Sequence, residues 1–253
     1  MKIKFIGTSS GKTSLRRFHS SIFISSSGKN ILIDAGDSVA RALLSCSVNI
    51  LSIDSIFITH LHSDHIAGLP SLITQMKLSG REEELRIFTV PNSTNHIKNI
   101  LNTCYLFEEG LNFSIIYSEF KLSDWNHLND EIEFYPIQNS HISNKLNVSY
   151  DQQFISVSLV FSIENKVILY SSDIGGKNDL NLFTGFNSDI MILECTHVTT
   201  DEISSYIKLS GCKNIILTHI PDETEEKLEK FVNKFDVKDV KLSLAKDGLS
   251  LNI

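Results

Sequence analysis

Thr59-His60-Leu61-His62-Ser63-Asp64-His65 sets three imidazoles and one carboxylate within six positions. Residues 55–59 before the first histidine are apolar and β-branched enough to form a short buried strand. After the last one, Ile66, Leu69, Leu72, Ile73 and Met76 share one face of a helix expected over about 66–78. Ligand-type groups this close together repel when charged and are costly to bury unless a cation compensates them. Imidazole and carboxylate suit zinc and similar borderline metals. One histidine in such a loop would be read most simply as solvated or bonded to backbone. Four ligand groups at this spacing are specific for a metal site.

The remaining ligands are expected at the ends of other strands. His141 follows a strand expected over 132–137, Asp173 follows one over 166–171, and His219 follows one over 214–218. Each alone carries little weight, since loops after strands commonly hold Asp or His. Together with His60, His62, Asp64 and His65 they make seven ligands, the right supply for two cations.

Around these points, short β-rich runs alternate with helical patterns. Further strands are expected at 2–6, 21–25, 31–33, 86–90, 154–163 and 189–193, and short or amphipathic helices at 38–45, 95–104 and 224–235. Glu164-Asn165 reads as a turn into the strand 166–171. Thr199-x-x-Glu202 is a capping box opening a helix that Gly211 could close. Residues 118–131 read as polar loop, and the chain is expected to end in a hairpin of 240–244 with 249–253. Without strict βαβ alternation, this order points to sheets covered by helices rather than a doubly wound nucleotide-binding sheet.

With 253 residues, 42% hydrophobic and 21% charged, the chain can bury a large core without disulfides, and wholesale disorder is excluded. A single domain over residues 1–253 is expected, since no linker or repeat divides it. A net charge of −7 with no basic stripe argues against a surface built to grip nucleic acid, although bound cations supply positive charge locally. The four cysteines form no C-x-x-C pair and read as reduced, mostly buried thiols of a cytoplasmic protein. Met1–Gly7 reads as a strand rather than a signal peptide, and no run reaches transmembrane length, so no membrane association is expected.

The arrangement resembles the metallo-β-lactamase-fold hydrolase superfamily over nearly the whole chain. Asp34, in Ile31-Leu32-Ile33-Asp34-Ala35-Gly36-Asp37, matches its first motif, the loop 59–65 its signature, and His141, Asp173 and His219 its later motifs in order. The resemblance implies a four-layer αββα sandwich with the site at one edge of its two sheets. It implies His60, His62 and His141 on one cation, Asp64, His65 and His219 on the other, Asp173 between them, and Asp34 supporting the ligands from behind. Zinc is favoured, with manganese or iron as alternatives. Phe5-Ile6-Gly7-Thr8 and Arg17-x-x-Ser20 resemble the phosphodiesterase branch, which includes the tRNA 3′-processing ribonuclease RNase Z and cyclic-phosphate phosphodiesterases. Leu193-Glu194-Cys195-Thr196 resembles the His-Glu-Ala-Thr motif of RNase Z, with Leu193 at the position of its histidine. The interval from His141 to Asp173 holds no long basic, Gly-rich arm of the RNase Z kind. A homodimer is expected from the resemblance alone.

Two dications make a water acidic near neutral pH and clamp a phosphodiester, so the expected activity is phosphodiester hydrolysis on small or cyclic diesters or RNA ends. Asp64 would orient the nucleophile, and His197, four residues past Leu193, is the candidate general acid or phosphate contact. Its simpler reading is the start of the helix capped at Thr199. The metal ligands alone also fit a lactonase, thioesterase, lactamase or sulfatase. A non-catalytic binding module ranks last, because no ligand is lost. Gly7-Thr8-Ser9-Ser10-Gly11-Lys12-Thr13 has one residue too few between its glycines for a phosphate-binding P-loop and reads as a turn, with Lys12, Arg16 or Arg17 as candidates to border the substrate. His19, His96 and His127 read more simply as structural or surface residues, residues 222–229 as a solvated helix face, Trp125 as isolated, and Cys195 and Cys212 as core. Substrate choice is expected to depend on loops around 8–20, 118–131 and 143–152.

Overall fold

In strand β1 (Lys2–Gly7) Ile3 and Phe5 point to one side and Ile6 to the other, and all three are fully buried. Burial on both faces is the mark of a sheet sandwiched between other layers. The computed structural model describes residues 1–142 and 154–253 and shows two such sheets. The first contains β1, β2 (Ser21–Ser26), β3 (Lys29–Ile33), β4 (Ser55–Ile58), β5 (Leu85–Thr89), β6 (Ile115–Glu119) and β14 (Ser250–Asn252), in the order β14-β1-β2-β3-β4-β5-β6. The second contains β7 (Asn126–Asn129), β8 (Ile132–Asn139), β9 (Ser156–Ile163), β10 (Lys166–Tyr170), β11 (Ile190–Glu194), β12 (Asn214–Thr218) and β13 (Lys241–Leu244), in the order β13-β12-β11-β10-β9-β8-β7. Each sheet is antiparallel on one side and parallel on the other. The parallel pairs are β3 to β6 in the first and β10 to β13 in the second.

Three buried clusters fill the spaces between layers. Ile3, Phe5, Phe57, Phe134 and Phe161 lie between the sheets. Leu32, Ile56, Ile58 and Ile87 face α1 (Val39–Ser45), α3 (Leu69–Leu78) and α4 (Thr94–Thr103), which contribute Leu43, Leu72, Ile73 and Ile97. Leu169, Met191 and Leu217 face α5 (Thr200–Ser210) and α6 (Glu225–Lys234), which contribute Ile203, Ile207 and Leu228. The layers therefore run αββα, as expected. α5 begins with the capping box of Thr199 and Glu202 and ends at Gly211, whose φ of 70° closes it. Glu164 and Asn165 both take positive φ, the two-residue turn between β9 and β10.

Three local expectations change. The helix expected at 66–78 is two pieces, α2 (Ser63–Ile66) and α3, because Pro70 lies in the first turn of α3 and lacks the N–H needed to continue α2. Residues 118–131 are not all loop: β6 ends at Glu119, and β7 pairs with β8 despite its polar sequence. The final strands form no hairpin, since β13 pairs in parallel with β12 while β14 pairs with β1 in the other sheet. The turn at Lys246-Asp247-Gly248 carries the chain from one sheet to the other. The loop around 143–152, expected to influence substrate choice, lies outside the described residues except for its neighbours on either side. No described helix is long and apolar enough to cross a membrane.

Candidate metal centre

The parallel strands β3 and β4, and β10 and β12, all end at one edge of the sandwich. Asp34 follows β3, His60 follows β4, Asp173 follows β10, and His219 follows β12. His141 arrives there from the end of the antiparallel strand β8. The turns are sharp: Asp34, Ser172 and His219 have φ of 60°, 49° and 58°. For non-glycine residues this left-handed backbone costs about 1–2 kcal/mol each, a strain typical of functional sites.

The seven expected ligands meet in two groups that share Asp173. His60, His62, His141 and Asp173 form one, and Asp64, His65, Asp173 and His219 the other. Within each group, one donor atom per residue lies within 4.8 Å of the rest. The first group brings His62 Nδ1 to 3.2 Å from His60 Nε2 and 3.0 Å from His141 Nε2. In the second, His219 Nε2 lies 3.1 Å from Asp173 Oδ2, and His65 Nε2 lies 3.3 Å from Asp173 Oδ1. Among the described residues neither His65 Nε2 nor Asp173 Oδ1 has a hydrogen-bond partner, though both are buried. Converging ring nitrogens and orphaned buried polar atoms fit a divalent cation in each group.

Three histidines are aimed from behind. His65 Nδ1 contacts Asp34 Oδ2 at 2.8 Å, His60 Nδ1 contacts Thr59 Oγ1 at 3.2 Å, and His219 Nδ1 contacts Ser20 Oγ at 3.0 Å. Each contact turns Nε2 toward the site, the arrangement that fixes a ligating tautomer. Thr59 Oγ1 has one proton and two acceptor sites, and all are used: it donates to Asp34 and accepts from Ser172 Oγ as well as His60. Tyr170 donates its hydroxyl to Asp34 at 3.3 Å.

Charge follows burial and neighbours. Burial pushes His60 and His62 below the ordinary histidine range and His141 down to about 4, so their ring nitrogens hold lone pairs available to a cation. Burial works against ionised Asp64, but His65 and His219 outweigh it and hold this carboxyl at about 2. Asp173 is likewise driven well down by His219 and His65 against the effect of burial. His65, between Asp173 and Asp34, is raised despite its complete burial.

His197 lines the same cavity, its ring 4.7 Å from that of His141. Its Nδ1 lies 3.0 Å from Glu194 Oε1, and this bond raises its pKa. Glu194 is buried and also accepts from the backbone N–H of Thr196 and His197. Leu193 is core. The strand β11 ends at Glu194, so the chain turns and brings His197 back to the site instead of carrying it further along the strand.

Asp179 binds the His141 and Asp173 loops together. Its Oδ2 accepts from Ser140 N at 2.9 Å and Gly175 N at 2.7 Å. A Cβ on Gly175 would lie 2.2 Å from Ser140 Oγ, so only glycine allows this approach. The sequence offered no local signal for Asp179 or for the Thr59, Ser20 and Ser172 contacts, which depend on long-range folding. His127 instead pairs with Glu133, Trp125 packs against Tyr135, and Cys195 and Cys212 are buried. His19 lines a separate surface cleft with Arg16 and Arg41.

A family model described as anti-Pycsar protein Apyc1 matches residues 1–237. A ribonuclease Z from Methanococcus maripaludis strain C5 is 26% identical over an alignment that covers 100% of this chain and 98% of the relative. The structure is similar to the short form of human tRNase Z, with a TM-score of 0.76 at 19% identity, covering 100% of this chain and 99% of that one. It is also similar to the metallo-β-lactamase fold protein YhfI from Bacillus subtilis, with a TM-score of 0.76 at 18% identity, covering 99% and 98% of the two chains. These two likenesses show that the fold is that of the metallo-β-lactamases.

Proposed function

The chain belongs to the anti-Pycsar protein Apyc1 family, and on that premise we propose that it is a metal-dependent phosphodiesterase using two divalent cations. The observation that carries the reading is the pair of converging donor groups that share the buried Asp173, the second of them buried throughout. His60, His62, His141 and Asp173 would hold one cation, and Asp64, His65, His219 and Asp173 the other. Zinc is the first choice for this His-rich set, with manganese or iron as alternatives. Such cations acidify water and neutralise phosphate oxygens.

The protein supplies the rest. Asp64 stays ionised and accepts a hydrogen bond from the attacking water, fixing its direction. His197, held through Nδ1 by Glu194, would use Nε2, which bonds none of the described residues, to protonate the departing oxygen. Asp34 and Thr59 hold the ligand rings without touching substrate. The cavity over the site has a volume of about 350 Å³, suited to a small molecule. With Lys12 its one lysine or arginine among the described lining residues, it favours a small or cyclic diester over a long RNA backbone, leaving RNA ends as the larger substrates to test. The reading includes a cytoplasmic homodimer in one folded domain, checked by light scattering and limited proteolysis.

The decisive experiment is hydrolysis of bis(p-nitrophenyl) phosphate by protein loaded with zinc or manganese, with Asp64→Asn as control. Turnover lost in the variant supports the reading and directs attention to cyclic nucleotides and RNA 3′ ends. No turnover with two metals bound overturns it in favour of carbonyl esters, thioesters or lactones.

A further inference from the structure

Residues 8–10 run beside the strand end that carries His219. Ile220 N donates to Thr8 O at 2.8 Å, and Ser10 N donates to Ile220 O at 3.4 Å. The loop then crosses the site, and a Cβ on Gly11 would lie 3.4 Å from the Asp64 carboxylate. Lys12 comes next. It and Glu223 line the same cavity as His62, Asp64, His141 and His197, and Lys12 Nζ contacts Glu223 Oε1 at 2.7 Å across its rim.

The loop backbone and this ion pair are held very differently. The loop is anchored by Ser14 to Asp222 at 2.8 Å, by Arg16 to Glu225 at 3.0 Å, and by Arg17, which is buried and bonds Thr8, Ala245 O and Glu225. The Lys12 and Glu223 side chains are 79% and 53% exposed. An ion pair in that setting is weak and screened by salt. Lys12 is thus a flexible cation on a fixed loop, with a partner that an incoming anion can displace.

We propose that Lys12 is a substrate-binding residue that sets the affinity of this site for phosphodiesters, and that Glu223 competes with substrate for its ammonium. The inference rests on the phosphodiesterase reading. A lysine ammonium meets phosphate as a point charge on a flexible stem and does not require the fixed fork of an arginine. On binding, a phosphate oxygen replaces Glu223 as the partner of Lys12, and Glu223 turns to solvent. In the free protein Glu223 lowers the affinity for every anion. A phosphate that reaches Lys12 gains its ammonium net of the cost of displacing Glu223, whereas a neutral ester gains nothing from Lys12.

The test is steady-state kinetics on bis(p-nitrophenyl) phosphate with metal-loaded wild type, Lys12→Ala, Lys12→Arg, Glu223→Gln and the Lys12→Ala/Glu223→Gln double variant. Calorimetric titration with inorganic phosphate accompanies each. Lys12→Ala is expected to raise KM and the phosphate Kd about fivefold, in keeping with an exposed charge contact, while kcat changes less. Lys12→Arg should restore most of the affinity. Glu223→Gln should lower both constants, and its effect should vanish in the double variant. Unchanged KM and Kd in Lys12→Ala, or a Glu223→Gln effect that persists without Lys12, overturns the proposal. If the wild type hydrolyses no diester, the phosphodiesterase reading fails, and the phosphate titration still decides whether Lys12 binds the anion.

Discussion

His65 Nδ1 and Asp34 Oδ2 meet at 2.8 Å with neither side chain exposed to solvent. Asp34 also receives Thr59 N–H and the Thr59 hydroxyl, so one carboxylate fixes a ligand ring and the residue that holds His60. Asp34→Asn keeps the size and tolerates the positive φ at this position. It replaces an acceptor-only carboxylate with an amide that can satisfy some of these donors but not all. Metal affinity should fall about 10- to 100-fold, read by chelator competition on the folded variant. Unchanged affinity would mean that His65 is held in place by its packing alone.

Asp64→Asn and His62→Ala should abolish turnover and leave a folded chain. The three apolar clusters that hold the layers together contain neither residue. His62 lies just before α2, with its side chain facing the cavity. Circular dichroism of the metal-free proteins should show native-like spectra and melting close to wild type, while metal analysis shows loss at the affected group. A variant that unfolds would mean that the ligands carry structure as well as chemistry.

Much of this site was legible in the chain because its information is local. The signature loop places four ligands in six positions, and the other three each follow an apolar strand. Parallel strands then bring the ends carrying Asp173 and His219 to one edge, and the antiparallel strand β8 delivers His141 there. What could not be read locally depends on partners far away in sequence. Ser20 meets His219, Ser172 meets Thr59, and Asp179 meets Ser140 only after the sheets pack. The position of His197 depends on the turn after Glu194, where strand periodicity no longer applies. β7 is not legible locally because its sequence, Asn126-His127-Leu128-Asn129, is mostly polar and its pairing with β8 defines it. The two last strands looked like a hairpin because the turn between them is short, and nothing local says that it spans two sheets.

Gly175→Ala tests how closely the His141 and Asp173 loops must approach. The added methyl would meet Ser140 Oγ at 2.2 Å and the Ser140 carbonyl at 2.7 Å, and the backbone cannot yield as a flexible side chain would. Overpacking of this kind costs about 1–3 kcal/mol. The expected result is a lower melting temperature together with weaker metal retention, because separating the loops pulls His141 away from Asp173. Gly175→Ala/Ser140→Gly removes the hydroxyl clash but leaves the carbonyl, so it should recover only part of both losses.

Glu194 and His197 carry the pH prediction. The Glu194 hydrogen bond raises the pKa of His197, so the ring keeps its proton above the ordinary histidine range. A general acid works only while protonated, so kcat should decline as pH rises through that raised value. Glu194→Gln removes the charge that holds the proton while keeping a side chain able to bond the turn. His197 then releases its proton at lower pH, and the alkaline limb of the kcat profile should move in the same direction, with the acid limb unmoved. His197→Asn should remove this limb and lower kcat about 10²- to 10⁴-fold, the usual contribution of a positioned general acid. An alkaline limb that stays in place in Glu194→Gln would assign it to another group and leave His197 as a phosphate contact.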